Sequence, residues 1–255
     1  MHNVLAIAHK ELKSYFASPI AYVVIGLFAL LYGYFYAVML QYFVRAGMNM
    51  NPMQGPSVLN INQDMLRPVL QNVTVLLLFV LPAMTMRTYS EERRSGTIEL
   101  LLTSPLTDLQ IVLGKFVGAL TLYAVMLSVT VVHTAVLFIY GSPELKPILT
   151  SYLGLLLLGG SFISVGLFIS TLTTNQIVSY IVTFSVFLLL WVINWFGSFS
   201  TGWVTELLSY LAIVEHFDDF SKGVIDTTHV IYYLSLISLG LFLTAKSVDT
   251  ERWRG

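Results

Sequence analysis

The sequence predicts an all-α integral membrane protein of six transmembrane helices, and three observations carry that prediction. Hydrophobic residues make up 56% of the 255-residue chain and charged residues 11%, with a mean hydropathy of +0.77; soluble domains carry about 25% charged residues. Six uncharged runs approach the length of about 20 residues that a helix needs to cross a hydrocarbon core. The Lys and Arg residues between those runs are divided unevenly between alternate loops, the bias that holds basic loops in the cytoplasm.

In chain order, residues 1–18 form an amphipathic helix. Leu5, Ala8, Leu12, Tyr15 and Phe16 share one face, with His9, Lys10, Glu11, Lys13 and Ser14 largely opposite, so this helix is expected to lie in the membrane interface. Ser18 as N-cap and Pro19 at the first helical position introduce the first span, 20–40. Residues 41–68, with "NPMQGP", read as a polar, irregular outer loop. The second span, 69–86, contains Pro82, which should kink it or end its regular part. The third lies within 110–140, behind a capping box of Thr107 and Gln110. The fourth runs 148–172, and the fifth, 176–197, ends in an aromatic belt.

Beyond it, Trp203, Leu207, Tyr210, Leu211, Val214, Phe217 and Phe220 recur at spacings of three and four. They predict one amphipathic outer helix or two short ones, ended by Gly223, with Trp203, Leu207, Leu211, Val214 and Phe217 toward lipid or the spans. The sixth run, 230–245, is slightly short and spans only if residues before Val230 extend it. No internal repeat divides the chain, which reads as one transmembrane domain.

With the N-terminus inside, the cytoplasmic pieces hold nine basic residues: Lys10, Lys13, Arg87, Arg93, Arg94, Lys115, Lys246, Arg252 and Arg254. The outer pieces hold four: Arg45, Arg67, Lys146 and Lys222. Both termini are therefore expected inside. A net charge of -1 gives no reason to expect nucleic acid, and the absence of Cys excludes disulfides and thiolate sites. The span middles carry no Asp, Glu, Lys or Arg, which argues against an ion-coupled carrier. His133, in the third span, reads as a histidine satisfied by a neighbouring helix. Glu215, His216, Asp218 and Asp219 offer ligand atoms within five residues, but His216 and Asp218 diverge from the face of Glu215 and Asp219. The cluster reads as a solvated helix face, and no metal is expected. No HExxH motif is present, and "GKFVG" at 114–118 is a weak small-xxx-small pattern.

The most informative stretch is "TYSEERRSGTIELLLTSPLT", 88–107, where an oily chain gathers several of its few charges. A short helix is expected here, capped by Ser95 or Thr97, with Glu99 in its first turn, a bend at Gly96 and an end enforced by Pro105. Ile98, Leu101 and Leu102 give it an apolar face that needs a partner. "SEERRSGTIELLLTSPLTDLQIVLGKF" closely resembles the first cytoplasmic loop of type-two ABC exporter permeases, and the resemblance extends over essentially the whole chain. Within that superfamily, "EHFDDFSKGVIDTTHVIYYLSL", 215–236, looks most like the gliding-motility permeases and the copper-site maturation permeases of nitrous-oxide reductase systems.

The resemblance implies that Glu91, Glu92, Arg93, Arg94, Gly96, Thr97, Ile98, Glu99, Leu100, Leu101 and Leu102 meet an ATPase subunit. Thr173, Thr174 and Asn175, in "TTNQ", would form the second contact. It also implies a bacterial cytoplasmic membrane, a second permease copy, identical or different, and two ATPase subunits that hold ATP and Mg. A periplasmic or auxiliary subunit is a further implied partner. This chain has no G-x-x-x-x-G-K-[ST] motif, so it is expected to be neither an enzyme nor a cofactor carrier. Two roles fit: coupling ATP hydrolysis to export, or transmitting force to envelope partners without moving a solute. A stand-alone carrier or membrane enzyme would instead be active without ATP.

Overall fold

The computed structural model describes residues 2–48, 59–103, 105–197 and 202–252, all in helices and their connections. Among the described residues six helices are long and apolar enough to cross a membrane. They are α2 (Pro19–Met48), α3 (Arg67–Thr85), α6 (Asp108–Tyr140), α7 (Leu145–Thr171), α8 (Gln176–Gly197) and α11 (Thr227–Arg252). The shorter helices are α1 (His2–Ala17), α4 (Ser90–Ser95), α5 (Thr97–Leu102), α9 (Trp203–Leu211) and α10 (Glu215–Ser221).

The long helices overrun the apolar stretches that reveal them. α2 continues to Met48 and a π-helical segment, Ile61–Leu66, leads into α3, so the irregular loop expected over 41–68 is helical at both described ends. Residues 49–58, which hold "NPMQGP", lie outside the described residues. Gln41 and Arg45 end the hydropathy signal, yet both are good helix formers. Asn60 caps the π-segment by accepting from the amides of Asn62 and Gln63. Asn62 in turn clamps the backbone of Glu144 through both its amide oxygen (2.8 Å) and its amide nitrogen (2.9 Å). α11 begins at Thr227, three residues ahead of Val230, and the added turn gives the sixth run its length. Pro82 lies inside α3, whose regular part ends three residues later, and the expected Thr107–Gln110 capping box is present.

α3 and α7 form the centre of the bundle. In their apolar stretches 67% and 72% of residues are buried, against 17% in α2 and α8 and 22% in α11. Small residues bring α7 close to its neighbours. Ser161 and Ser164 donate to the carbonyls of Tyr233 (3.2 Å) and Leu236 (3.4 Å) on α11, and Tyr123 of α6 donates to the Leu155 carbonyl (2.7 Å). A Cβ on Gly159 would sit 2.2 Å from the Tyr123 ring. Where lipid is as apolar as the protein, such close packing and interhelical hydrogen bonding hold helices together. His133 is satisfied within its own helix, its Nδ1 3.2 Å from the Val129 carbonyl, and not by a hydrogen bond from a neighbouring one; α2 contributes ring packing from Tyr32 and Tyr36.

α1 runs beside the start of α6 in the same direction. Asn3 meets Gln110 (3.3 Å), Ile7 covers Gly114 and Glu11 covers Gly118. The "GKFVG" pattern is thus the seat of the N-terminal helix: a Cβ on Gly114 would fall 2.6 Å from Ile7. Ile7 and Ala8 are buried in this seat, while Leu5 is 64% exposed. Glu11, placed by periodicity on the polar face, instead turns inward, because Lys115 of α6 lies beneath it.

The packing makes a local prediction. Gly159→Ala should cost about 1–3 kcal/mol through overpacking against Tyr123. Gly26→Ala, where nothing lies within 4 Å, should leave stability unchanged or slightly raised, and thermal unfolding in detergent separates the two.

Candidate functional site

The charged stretch folds as two short helices hinged at Gly96, whose φ of 71° is the left-handed conformation that glycine adopts without strain. Sequence reading expected one short helix, α5, whereas "SEERRS" is itself helical. The amides of Tyr89 and Ser90, where α4 begins, are both bound by Ser170 Oγ of α7 at 3.1 Å, and that hydroxyl donates to the Met86 carbonyl. A cap supplied from a helix about eighty positions away has no local signature.

Beneath α4 lies Lys115, 1% exposed. Its ammonium donates to Glu11 Oε1 of α1 (2.8 Å), Glu92 Oε1 of α4 (2.8 Å) and the Thr88 carbonyl (3.1 Å), and it lies 5.0 Å from the centre of the Tyr89 ring. Three donors meet three acceptors, which makes burial of the charge tolerable. Tyr15 of α1 joins the cluster, donating to the Met84 carbonyl and touching the Thr88 hydroxyl. Burial pushes its phenol up to about 12, against the Thr88 hydrogen bond, so it remains a donor at physiological pH.

Arg93 ties the other side of α4, pairing with Glu251 of α11 and donating to the Thr171 carbonyl at the end of α7. Arg87 and Glu91 form a two-point pair, Nε–Oε2 2.8 Å and Nη2–Oε1 3.1 Å. The residues read from sequence as a contact surface therefore divide. Glu92 and Arg93 face the protein, and Glu91 is half-exposed and paired. Arg94, Gly96, Thr97 and Glu99 are exposed, while Ile98 is partly buried against the bundle. Leu100, Leu101 and Leu102 belong to α5, but their side chains lie outside the described residues.

Thr173, Thr174 and Asn175 connect α7 to α8 at this same end. Asn175 Oδ1 caps α8 by accepting from the amides of Ile177 (2.9 Å) and Val178 (3.4 Å), leaving Thr174 and Asn175 at the surface. Of the remaining predicted positions, Leu12, Tyr15 and Phe16 are partly buried. At the opposite end Trp203, Leu207 and Leu211 of α9 are exposed, Val214 is half-buried and Phe217 is fully buried. Lys115, Glu11, Ser170 and Glu251 were missed by sequence reasoning. The one available signal was Lys115 itself, two turns inside an otherwise apolar span.

The α10 cluster is not the solvated helix face expected: His216 is buried, and Asp218 and Asp219 share Lys222 in one network with neighbouring helices. Asp218 takes Arg67 and Gln71 of α3 together with Lys222, and Asp219 takes Lys222 and His229. Burial works against charge on Asp218, but Lys222 and Arg67 outweigh it and hold that carboxyl below its usual range. Among the described residues no group of three or more His, Cys, Asp or Glu is placed to hold a metal.

Six helices able to cross a membrane, among the described residues, with a wired pair of surface helices beside both described chain ends, define a multi-pass membrane protein. Over residues 5–245 the sequence matches the model of the ABC-2 family transporter protein, and the chain belongs to that family. It is thereby a permease-type membrane subunit of an ABC transporter, a class that works with an ABC ATPase partner. No curated protein matches the sequence.

Removing the buried cation should be costly. Lys115→Ala leaves Glu11 without its cation and Glu92 with only the exposed Lys10 at 4.0 Å, and is expected to lose about 3–5 kcal/mol. Lys115→Met combined with Glu11→Gln and Glu92→Gln should recover most of the loss. Thermal unfolding of the purified variants measures both.

Proposed function

We propose that this chain is the subunit through which a separate ATPase does conformational work across a bacterial cytoplasmic membrane, with the end bearing α1, α4 and α5 on the cytoplasmic side. The observation that carries the reading is the wiring of α4. Ser170, Lys115, Arg93 and Glu251 connect it to α7, α6, α1 and α11, while the exposed residues around the Gly96 hinge remain available to a partner. Nucleotide-driven movement of an ATPase dimer against α5 would reach several spanning helices through buried polar contacts. ATP and Mg would be held by that partner, two copies of it serving a pair of permeases.

In this reading Arg94, Thr97 and Glu99 give register and specificity, and the apolar residues of α5 give most of the affinity, since exposed ion pairs contribute only about 0–1 kcal/mol each. Thr174 and Asn175 form the second contact. Export of a substrate and force on an envelope partner both use this linkage. The likeness of 215–236 to the gliding-motility and copper-maturation permeases supports the second.

Leu101→Asp should abolish co-purification of the ATPase while the permease remains in the membrane; undiminished co-purification with full activity would remove α5 from the interface. Gly96→Pro cannot adopt a φ of 71° and should uncouple ATP hydrolysis from function. Orientation is tested by single cysteines in this Cys-free chain. Glu206→Cys should react with an impermeant thiol reagent added outside intact cells, and Thr174→Cys only after lysis; the reverse pattern would invert the proposed topology.

A further inference from the structure

The end of the bundle opposite the charged loop brings together two histidines to which the permease role assigns no task. His216 belongs to α10 and His229 to the first turn of α11. His216 Nε2 lies 2.8 Å from the Tyr210 carbonyl oxygen, which can only accept, so that nitrogen carries a hydrogen. His229 Nε2 lies 3.0 Å from Asp219 Oδ2, and a carboxylate likewise only accepts. Between them the two Nδ1 atoms face each other at 2.7 Å, a contact in which one must donate and the other accept. The four ring nitrogens thus need three hydrogens, whereas two neutral imidazoles supply two.

We infer that His216 and His229 form a single-proton binding site, holding one proton more than two neutral rings and using it to fasten α10 to α11. The proton resides on the rings, because Asp219 is held as an anion between two donors, Lys222 on its Oδ1 (3.2 Å) and His229 on its Oδ2 (3.0 Å). Nearby carboxylates favour it. Asp218, Asp219 and Glu215 stand on α10 and Asp226 precedes α11. Glu206 of α9 lines the same cleft, which Trp191 and Trp195 of α8 wall. Arg67 of α3 and Lys222 oppose them, both already paired with Asp218, and Lys146 stands at the start of α7, which packs on α10. The tyrosines around the pair, Tyr210, Tyr232 and Tyr233, are neutral neighbours.

A second proton is resisted. His216 is 4% exposed and stacked on Tyr232 at 3.8 Å. Burial first, and then the charge of its partner ring, push His216 below the ordinary histidine value, with the Tyr210 hydrogen bond opposing. The fastened arrangement therefore takes up one proton that separated rings release near about 6.5. Its stabilising effect is present while that proton is held and is lost as rising pH removes it. Deprotonation leaves a ring lone pair facing either Asp219 or the other ring, and α10 loosens from α11 beside the cleft.

Solid-state NMR of the full chain in lipid bilayers, labelled with 15N-histidine, tests the site. At about pH 7.5, above the ordinary histidine range, the wild type should show an imidazolium signal that disappears in His229→Asn. A neutral Nε2-protonated ring should disappear in His216→Asn. Asp219→Asn, which removes the anionic acceptor, should reduce the imidazolium signal at that pH several-fold. Iodide quenching of tryptophan fluorescence should rise with pH in the wild type and lose that dependence in Asp219→Asn. Two neutral rings in the folded wild type at that pH would overturn the inference, as would an imidazolium signal unchanged by Asp219→Asn. If the variant fails to fold, the wild-type spectrum decides alone.

Discussion

The organisation of the terminal end depends on the charge of Lys115. An ammonium buried two turns inside a spanning helix cannot be solvated by lipid, and its desolvation exceeds what one imperfect partner returns. Here it receives two carboxylates and a carbonyl from two separate segments, α1 and the turn that leads into α4 together with α4 itself. Meeting that requirement places α1 on α6, brings α4 back under the bundle and fixes the turn at Thr88. The Gly114 and Gly118 seat contributes the shape, since α1 can approach closely only where α6 has no side chains.

A buried ion cluster is weak evidence for stability, because apolar residues of the same volume often do as well. Its value here is positional. A lysine with three directed donors accepts one arrangement of Glu11, Glu92 and Thr88, whereas an apolar contact would tolerate sliding. Arg93 imposes a second fixed point through Glu251 and Thr171, and Ser170 a third through the first amides of α4. The surface helix pair is thus anchored on one side and free on the other.

Polar interactions at the two ends differ in kind. Lys115 is enclosed, with carboxylates at short distance and little exposure. The Asp218 and Asp219 network is more open and draws on Arg67, Lys222 and His229 at once. Between these ends the bundle is held by α7, whose serines and glycines let α11 and α6 approach within hydrogen-bonding distance.

The sequence by itself determined the fold class, the six crossings, the capping box at Thr107 and the bend at Gly96. These follow from composition, hydropathy and nearest-neighbour backbone chemistry, all of which act over a few residues. Hydropathy misjudged residues 41–48, because it reports where a helix meets lipid and says nothing of where the helix stops. Glu92 and Arg93 looked like surface charges and Glu11 like part of a polar stripe, since periodicity assigns a face without knowing what lies opposite. Tertiary structure alone decided that these side chains point inward, that α7 caps α4, and that two histidines thirteen residues apart meet ring to ring. Each is a contact between segments distant in the chain, and hydrogen-bond direction and desolvation act only after packing has brought those segments together.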